Sequence, residues 1–335
     1  MNEWLKIPVS LIPIFVFLAG LVFLDSYKLV RFRAIIWAIV IGAVMAGIAM
    51  AFNSWMLNAL SANAAVLTRY IAPVIEESLK AAYLIYLIRA RRVGFMVDAA
   101  VYGFAIGTGF AVVENIYYLT ALHSSNIVLW IVRGFGTAAL HGATTALLGI
   151  ISKGLADRRS SQRPWVFLPG VITAIAIHAL YNHFIIPPVW STAGLLTILP
   201  LVLIVVFQRS EKATRLWLGR GMDADAELLD LIVSDRIAAT PVGIYLQTLK
   251  DKFPGTMVAD MLCLLRIHCE LALGAKGILL MREAGIKPPV NPEITAKFEE
   301  LRFLEKSLGK TGRLAMAPFL KTSRHDMWQL YTIGR

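Results

Sequence analysis

The sequence predicts an all-α protein, a polytopic membrane helix bundle with a helical soluble domain at its carboxy-terminal end. Three observations predict it. Hydrophobic residues make up 57% of the 335 residues, with a mean hydropathy of +0.65, a composition that belongs to membrane proteins. The long apolar segments are confined to residues 8–207, and the last 128 residues read as amphipathic soluble sequence. Finally, basic residues crowd into alternate loops.

A helical span needs about 20 mostly apolar residues. Seven stretches qualify: 8–25, 34–53, 66–88, 97–121, 127–151, 165–186 and 189–207. The loop after the first holds Lys28, Arg31 and Arg33, and the loop after the third holds Arg89, Arg91 and Arg92. The loop after the fifth holds Lys153, Arg158, Arg159 and Arg163, and the segment after the seventh holds Arg209, Lys212, Arg215 and Arg220. The alternate loops at 54–65, 122–126 and 187–188 hold none, and the amino terminus holds only Lys6. By the positive-inside rule the amino terminus lies outside and the carboxy-terminal domain in the cytoplasm of a plasma or inner membrane. The rule also accounts for the net charge of +11 without nucleic acid. No cleavable signal peptide is expected, because no small-residue cleavage site follows the first apolar run.

The soluble part reads as residues 208–335. In "NPEITAKFEELRFLEKSLG", Asn291 is placed to cap a helix, Pro292 to occupy its first position and Gly309 to end it. The apolar run at 257–282 reads as a buried soluble helix rather than an eighth span, because it carries Asp260, Arg266, His268, Glu270 and Lys276. Both cysteines, Cys263 and Cys269, fall here, and a structural disulfide is not expected in a cytoplasmic tail. Their surroundings have no zinc-ribbon pattern.

Spans three to six carry groups that hydrocarbon rejects, while the first, second and seventh carry essentially none. An ionised group at mid-membrane costs at least about 2.5–3.5 kcal/mol. Span three has Glu76, Glu77 and Lys80; span four has Asp98, Glu114 and Asn115; span five has Arg133 and His141; span six has His178 and Asn182. Measured from the outer ends, Glu77, Glu114, His178 and His141 lie about 11, 7, 8 and 14 residues down. Their depths overlap, so one shared site is expected. Lys80 is one helical turn from both Glu76 and Glu77 and can pair with either, whereas the two adjacent acids point about 100° apart. Ala99, Gly103, Gly107 and Ala111 form a small-residue stripe that lets another helix approach span four closely.

Several of these groups have a plain structural reading. Arg133 can serve as counter-ion to Glu114 or Asp98, Asp98 can cap its own helix, Lys80 can neutralise a glutamate, and Asn115, Thr144 and Thr145 can bond between helices. The whole set of glutamates and histidines is harder to account for that way. Such a set suits hydrolysis by a glutamate-activated water, metal binding, or proton relay. No GxSxG or HExxH pattern is present, and Ser78 sits in no recognisable nucleophile motif.

The order of motifs resembles the PrsW family of intramembrane proteases, within the Abi/CAAX-protease superfamily. The resemblance rests on Glu76, Glu77 and Lys80 in "EESLK", on Phe110, Glu114 and Asn115 in "GFAVVENIYY", on His141, and on His178 with Asn182 in "HALYNH". It covers residues 65–190 and implies that residues 1–207 form a protease-like membrane domain. It further implies an intramembrane endopeptidase that cuts a membrane-protein substrate, an anti-sigma factor or similar signalling protein, on the outer side. Carried over from the superfamily, Glu76 or Glu77 with Glu114 would hold the water, and His178 and Asn182 would bind the oxyanion. The superfamily often has histidine where this chain has Glu114. If a divalent metal such as zinc takes part, Glu77, Glu114, His141 and His178 are its candidate ligands. Lys80, Asn115, Arg133 and Phe110 would support the site. Two other classes stay open on the residues alone: an ion- or proton-coupled transporter, and a non-catalytic metal- or haem-binding protein. The tail is open to a cytoplasmic partner.

Overall fold

The structure is a computed structural model describing residues 3–25, 27, 30–59, 63–122, 126–158, 163–287 and 293–320. Among these residues it is helical throughout, with no strand. Asn291, Pro292 and the basic loop residues Lys28 and Arg159 lie outside the described residues. The chain divides into two compact units, Met1–Glu211 and Lys212–Arg335.

The first unit contains α1 (Glu3–Leu24), α2 (Phe32–Ala59), α3 (Ala72–Arg89), α4 (Met96–Ala121), α5 (Ala138–Arg158), α6 (Leu168–Asn182) and the first half of α7 (Pro188–Val233). Helix α4 is its axis. Sixteen of its residues are buried, and it packs most extensively on α5 and α2, then on α1. The small-residue stripe makes this possible. A methyl group on Gly103 would collide with the carbonyl oxygen of Thr145, and one on Gly107 with that of His141. Only helices stripped to the backbone at these points can come so close. Helices α1 and α2 turn Ile12, Phe15, Val16, Phe23, Trp37, Val44 and Ile48 outward, as lipid-facing helices do.

Five helical stretches among the described residues are long and apolar enough to cross a membrane: Leu5–Leu24, Phe32–Ala59, Met96–Ala121, Ile127–Arg158 and Pro188–Val233. The expected third and sixth spans fall short of that standard. α3 carries Glu76, Glu77, Lys80 and Arg89 within 18 residues, and α6 has only 15 residues. Both are site-bearing helices, and the polarity of α3 follows from what it holds.

Two π-helical segments lead directly into site-bearing helices. Leu67–Ile71 precedes α3, and Val132–Thr137 precedes α5. Such segments widen the helix by one residue per turn and occur frequently at functional sites.

The second unit holds the remainder of α7, α8 (Pro241–Leu249), α9 (Gly255–Glu283) and α10 (Glu293–Met316). Thr240 caps α8 by accepting from the Gly243 amide at 3.1 Å, with Pro241 at the first helical position. The apolar run expected to be a soluble helix is α9, whose Met261, Leu264, Leu265 and Leu271 pack with Leu301, Leu304 and Leu308 of α10. Its buried Lys276 is neutralised by Asp225 at 2.6 Å. At Gly309 the backbone takes φ 60° and breaks α10, after which a further helical stretch runs to Met316.

Candidate active site

Helix α3 brings Glu76, Glu77 and Lys80 to one place in the bundle. Helix α4 brings Phe110, Glu114 and Asn115, the second π-segment brings Arg133, α5 brings His141, and α6 brings His178. Their contacts sort the three glutamates into different roles.

Glu77 is fully buried. Its Oε1 accepts from Lys80 Nζ at 2.6 Å and from Thr144 Oγ1 at 3.2 Å, and it lies 2.8 Å from His178 Nδ1. An ionised carboxylate only accepts, so Nδ1 of His178 carries the proton and donates. The other ring nitrogen, Nε2, is left with its lone pair. Glu77 is therefore a fixed anchor for Lys80 and His178.

Glu76 is one position along and points to a different side. Its Oε2 lies 3.9 Å from His178 Nε2, and its Oε1 accepts from Asn53 Nδ2 of α2 at 3.4 Å. Its side chain is 13% exposed, against 0% for Glu77.

Glu114 lies with its Oε2 2.7 Å from His141 Nε2 and its Oε1 3.4 Å from the Arg133 guanidinium. Lys80 Nζ is 3.2 Å from His141 Nδ1. With the ammonium donating there, Nδ1 accepts and the Nε2 proton goes to Glu114. The two imidazoles meet edge to face, with ring centroids 5.0 Å apart. Phe110 covers both His141, at 5.0 Å, and the Lys80 ammonium, at 4.8 Å.

The supporting residues form a brace. Arg133 Nε donates to Asn115 Oδ1 at 3.0 Å, and its guanidinium stacks 3.6 Å from the centroid of the Tyr118 ring. Asn115 Nδ2 donates to the Ser10 carbonyl of α1 at 2.8 Å. Asp98 is not part of this group: it caps its own helix, accepting from the Gly94 and Phe95 amides at 2.8 and 3.2 Å. Asn182 does not join the glutamates and histidines either. Its Nδ2 donates to the Thr68 carbonyl in the first π-segment, at 3.0 Å.

Asn53, Ser10 and Tyr118 join the site without having been expected from sequence, Tyr118 through its stacking on Arg133. Asn53 closes an apolar span, and Ser10 offers only its backbone. The signal that could have found Asn53 is its being the lone strongly polar side chain in residues 34–53.

The donor set suits a divalent metal. One ligand atom each from Glu76, His141 and His178 lie within 4.8 Å of one another, so a modest closing of side chains reaches the roughly 3.4 Å separation of ligands around tetrahedral zinc. Two imidazoles and a carboxylate are a catalytic zinc set. Each imidazole is also held by a second carboxylate, His178 by Glu77 and His141 by Glu114, the outer arrangement that usually orients metal-binding histidines; His178 Nε2 is open for a metal, whereas His141 would bind through Nδ1 and Lys80 would have to release that nitrogen. Of the ligand set expected from sequence, His141 and His178 recur here beside Glu76; Glu77 gives Oε1 to Lys80, Thr144 and His178 while its Oε2 is buried without a hydrogen-bond partner among the described residues, and Glu114 meets His141 and Arg133.

A membrane helix bundle that gathers three glutamates and two histidines around its axis is a membrane protein with a functional site inside the bilayer. The family model for the PrsW family intramembrane metalloproteases matches residues 28–207, more than half of the chain, and the chain belongs to that family. It is accordingly a multi-pass membrane protease that acts on membrane-protein substrates within the bilayer. No curated protein and no solved structure matches it.

Proposed function

We propose that this chain hydrolyses a peptide bond of a membrane-anchored signalling protein, an anti-sigma factor or similar, using a divalent metal held by Glu76, His141 and His178. The observation that carries the reading is the convergence of those three residues, each imidazole backed by its own glutamate. A metal bound there supplies Lewis acidity and a lowered water pKa.

The chain's own groups do the rest. Glu77 fixes the tautomer of His178 so that Nε2 faces inward. Glu114 is the carboxylate we assign to accept the water proton: its side chain is 20% exposed beside the group, and Arg133 stands at 3.4 Å to stabilise its charge. Lys80 pairs directly with Glu77 at 2.6 Å and holds its Oε1 in place. Phe110 walls off one side and excludes water. Asn182, bonded to the Thr68 carbonyl, ties α6 to the first π-segment. We place the amino terminus and the site's mouth on the outer side and residues 208–335 in the cytoplasm, on the strength of the basic loops, with the tail as the surface for a regulatory partner.

The test is cleavage of a tagged single-span reporter in liposomes. Wild-type protein should cut it, Glu76→Gln and His178→Ala should not, and a strong chelator should stop cleavage until zinc is restored. Cleavage untouched by prolonged chelation would sink the metal reading. A well-folded protein that cuts nothing but carries a proton flux would move the cluster to transport.

A further inference from the structure

One residue outside the site-bearing helices has a buried polar atom beside the site with no evident structural reason. Asn53 sits near the end of α2, a helix that is apolar from Ala34 to Phe52. Its Nδ2 donates to Glu76 Oε1 at 3.4 Å, while its Oδ1 is buried and has no hydrogen-bond partner among the described residues. Burying an amide carbonyl without a partner costs stability, and one long hydrogen bond on the other end of the amide does not offset it. A leucine of nearly the same shape would pack there without that cost. The amide therefore earns its place through Glu76.

Glu76 needs such a partner. Glu77 has three donors on one oxygen, and Glu114 has an imidazole and a guanidinium. Among the described residues Glu76 has only Asn53 at Oε1, and its Oε2 stands 3.9 Å from His178 Nε2. A glutamate with free χ angles would sweep its carboxylate away from the imidazoles. Helix α2 packs against both α3 and α4, so a donor fixed on α2 holds one oxygen still and leaves the other aimed at His178.

We propose that Asn53 is a positioning residue: its side-chain amide fixes the Glu76 carboxylate in the orientation that completes the divalent-metal set with His141 and His178. The proposal rests on the metal reading above. Outer partners of metal-binding side chains typically contribute ten- to hundredfold in metal affinity.

The experiment measures zinc affinity of the purified full chain by competition with a chromogenic chelator, alongside the melting temperature and the kcat and KM of reporter cleavage. In Asn53→Leu, zinc affinity should fall at least tenfold and kcat should fall at unchanged KM, while the melting temperature stays level or rises. Asn53→Gln, which keeps the donor, should lie closer to wild type. Asn53→Ala serves if the leucine variant does not accumulate. A donor-less variant within twofold of wild type in zinc affinity overturns the proposal alone. Wild-type protein that takes up no zinc overturns the metal reading and the proposal with it. Adjacent, exposed Ser54→Ala is the control and should change nothing.

Discussion

Gly107 and His141 touch backbone to backbone: the face of Gly107 where a side chain would begin is occupied by the His141 carbonyl oxygen. The position of one site residue is thus set by the absence of atoms on another helix. Gly107→Ala has to push α5 outward, carrying His141 away from Glu76 and His178. A misplacement near 1 Å can cost about a hundredfold in rate. We expect Gly107→Ala to insert and remain helical while its cleavage rate drops by about that factor, as checked by circular dichroism beside the liposome assay.

The buried pair of Glu77 and Lys80 makes a double-mutant prediction. Removing one partner of such a pair strands the other and typically costs about 3–5 kcal/mol, whereas removing both together is far milder. Lys80→Met alone should lower the melting temperature in detergent sharply. Lys80→Met with Glu77→Gln should recover more than half of that loss. Additive losses would show that the two charges do not depend on each other. Activity should stay absent in the double variant, because His178 has lost the carboxylate that orients it.

His178 and Asn182 lie one turn apart on α6, yet their partners differ. His178 faces Glu77 and Glu76, and Asn182 holds the Thr68 carbonyl. We expect His178→Ala to abolish cleavage and zinc uptake together. Asn182→Ala should lower kcat less than tenfold while reducing thermal stability. A loss near the 10²–10³ typical of an oxyanion donor would instead return Asn182 to the reacting atoms.

The two cysteines of the second unit should behave differently towards a thiol reagent. Cys263 is exposed. Burial, with Asp225 adding to it, pushes the Cys269 thiol up to about 12. At pH 8 only about one Cys269 in 10⁴ is thiolate, the reactive form. An impermeant maleimide should therefore label one cysteine per folded chain and two after denaturation. In sealed vesicles the label should react only with those that expose the cytoplasmic face outward, and labelling of Cys263 from the opposite side would reverse the orientation proposed above.

Much of this site could be read from sequence because a membrane makes polar residues conspicuous. Glu77, Glu114, His141 and His178 stood out against apolar surroundings, and the stripe ending at Ala111 pointed to the helix that packs closest. What the sequence could not divide was labour. Glu76 and Glu77 are chemically identical neighbours, and their contrast comes from which helices flank α3: Thr144, Lys80 and His178 Nδ1 crowd one, while Asn53 and the more distant His178 Nε2 reach the other. The sixth span was expected over residues 165–186, but the helix occupies Leu168–Asn182, flanked by a short 3₁₀ turn at Pro164–Val166 and by Phe184 at positive φ. Hydropathy counts apolar residues and is blind to where backbone stops being helical.

That shortness has a consequence for the surrounding lipid. Fifteen residues rise only about 22 Å, against a hydrocarbon layer about 30 Å thick. Lipid meeting α6 has to thin, or admit headgroups and water past its ends. A substrate helix approaching along that flank would lose hydrocarbon cover near His178, and its own backbone hydrogen bonds would then compete with water. The dent that a short helix makes in its membrane would in that case help to unwind the chain to be cut.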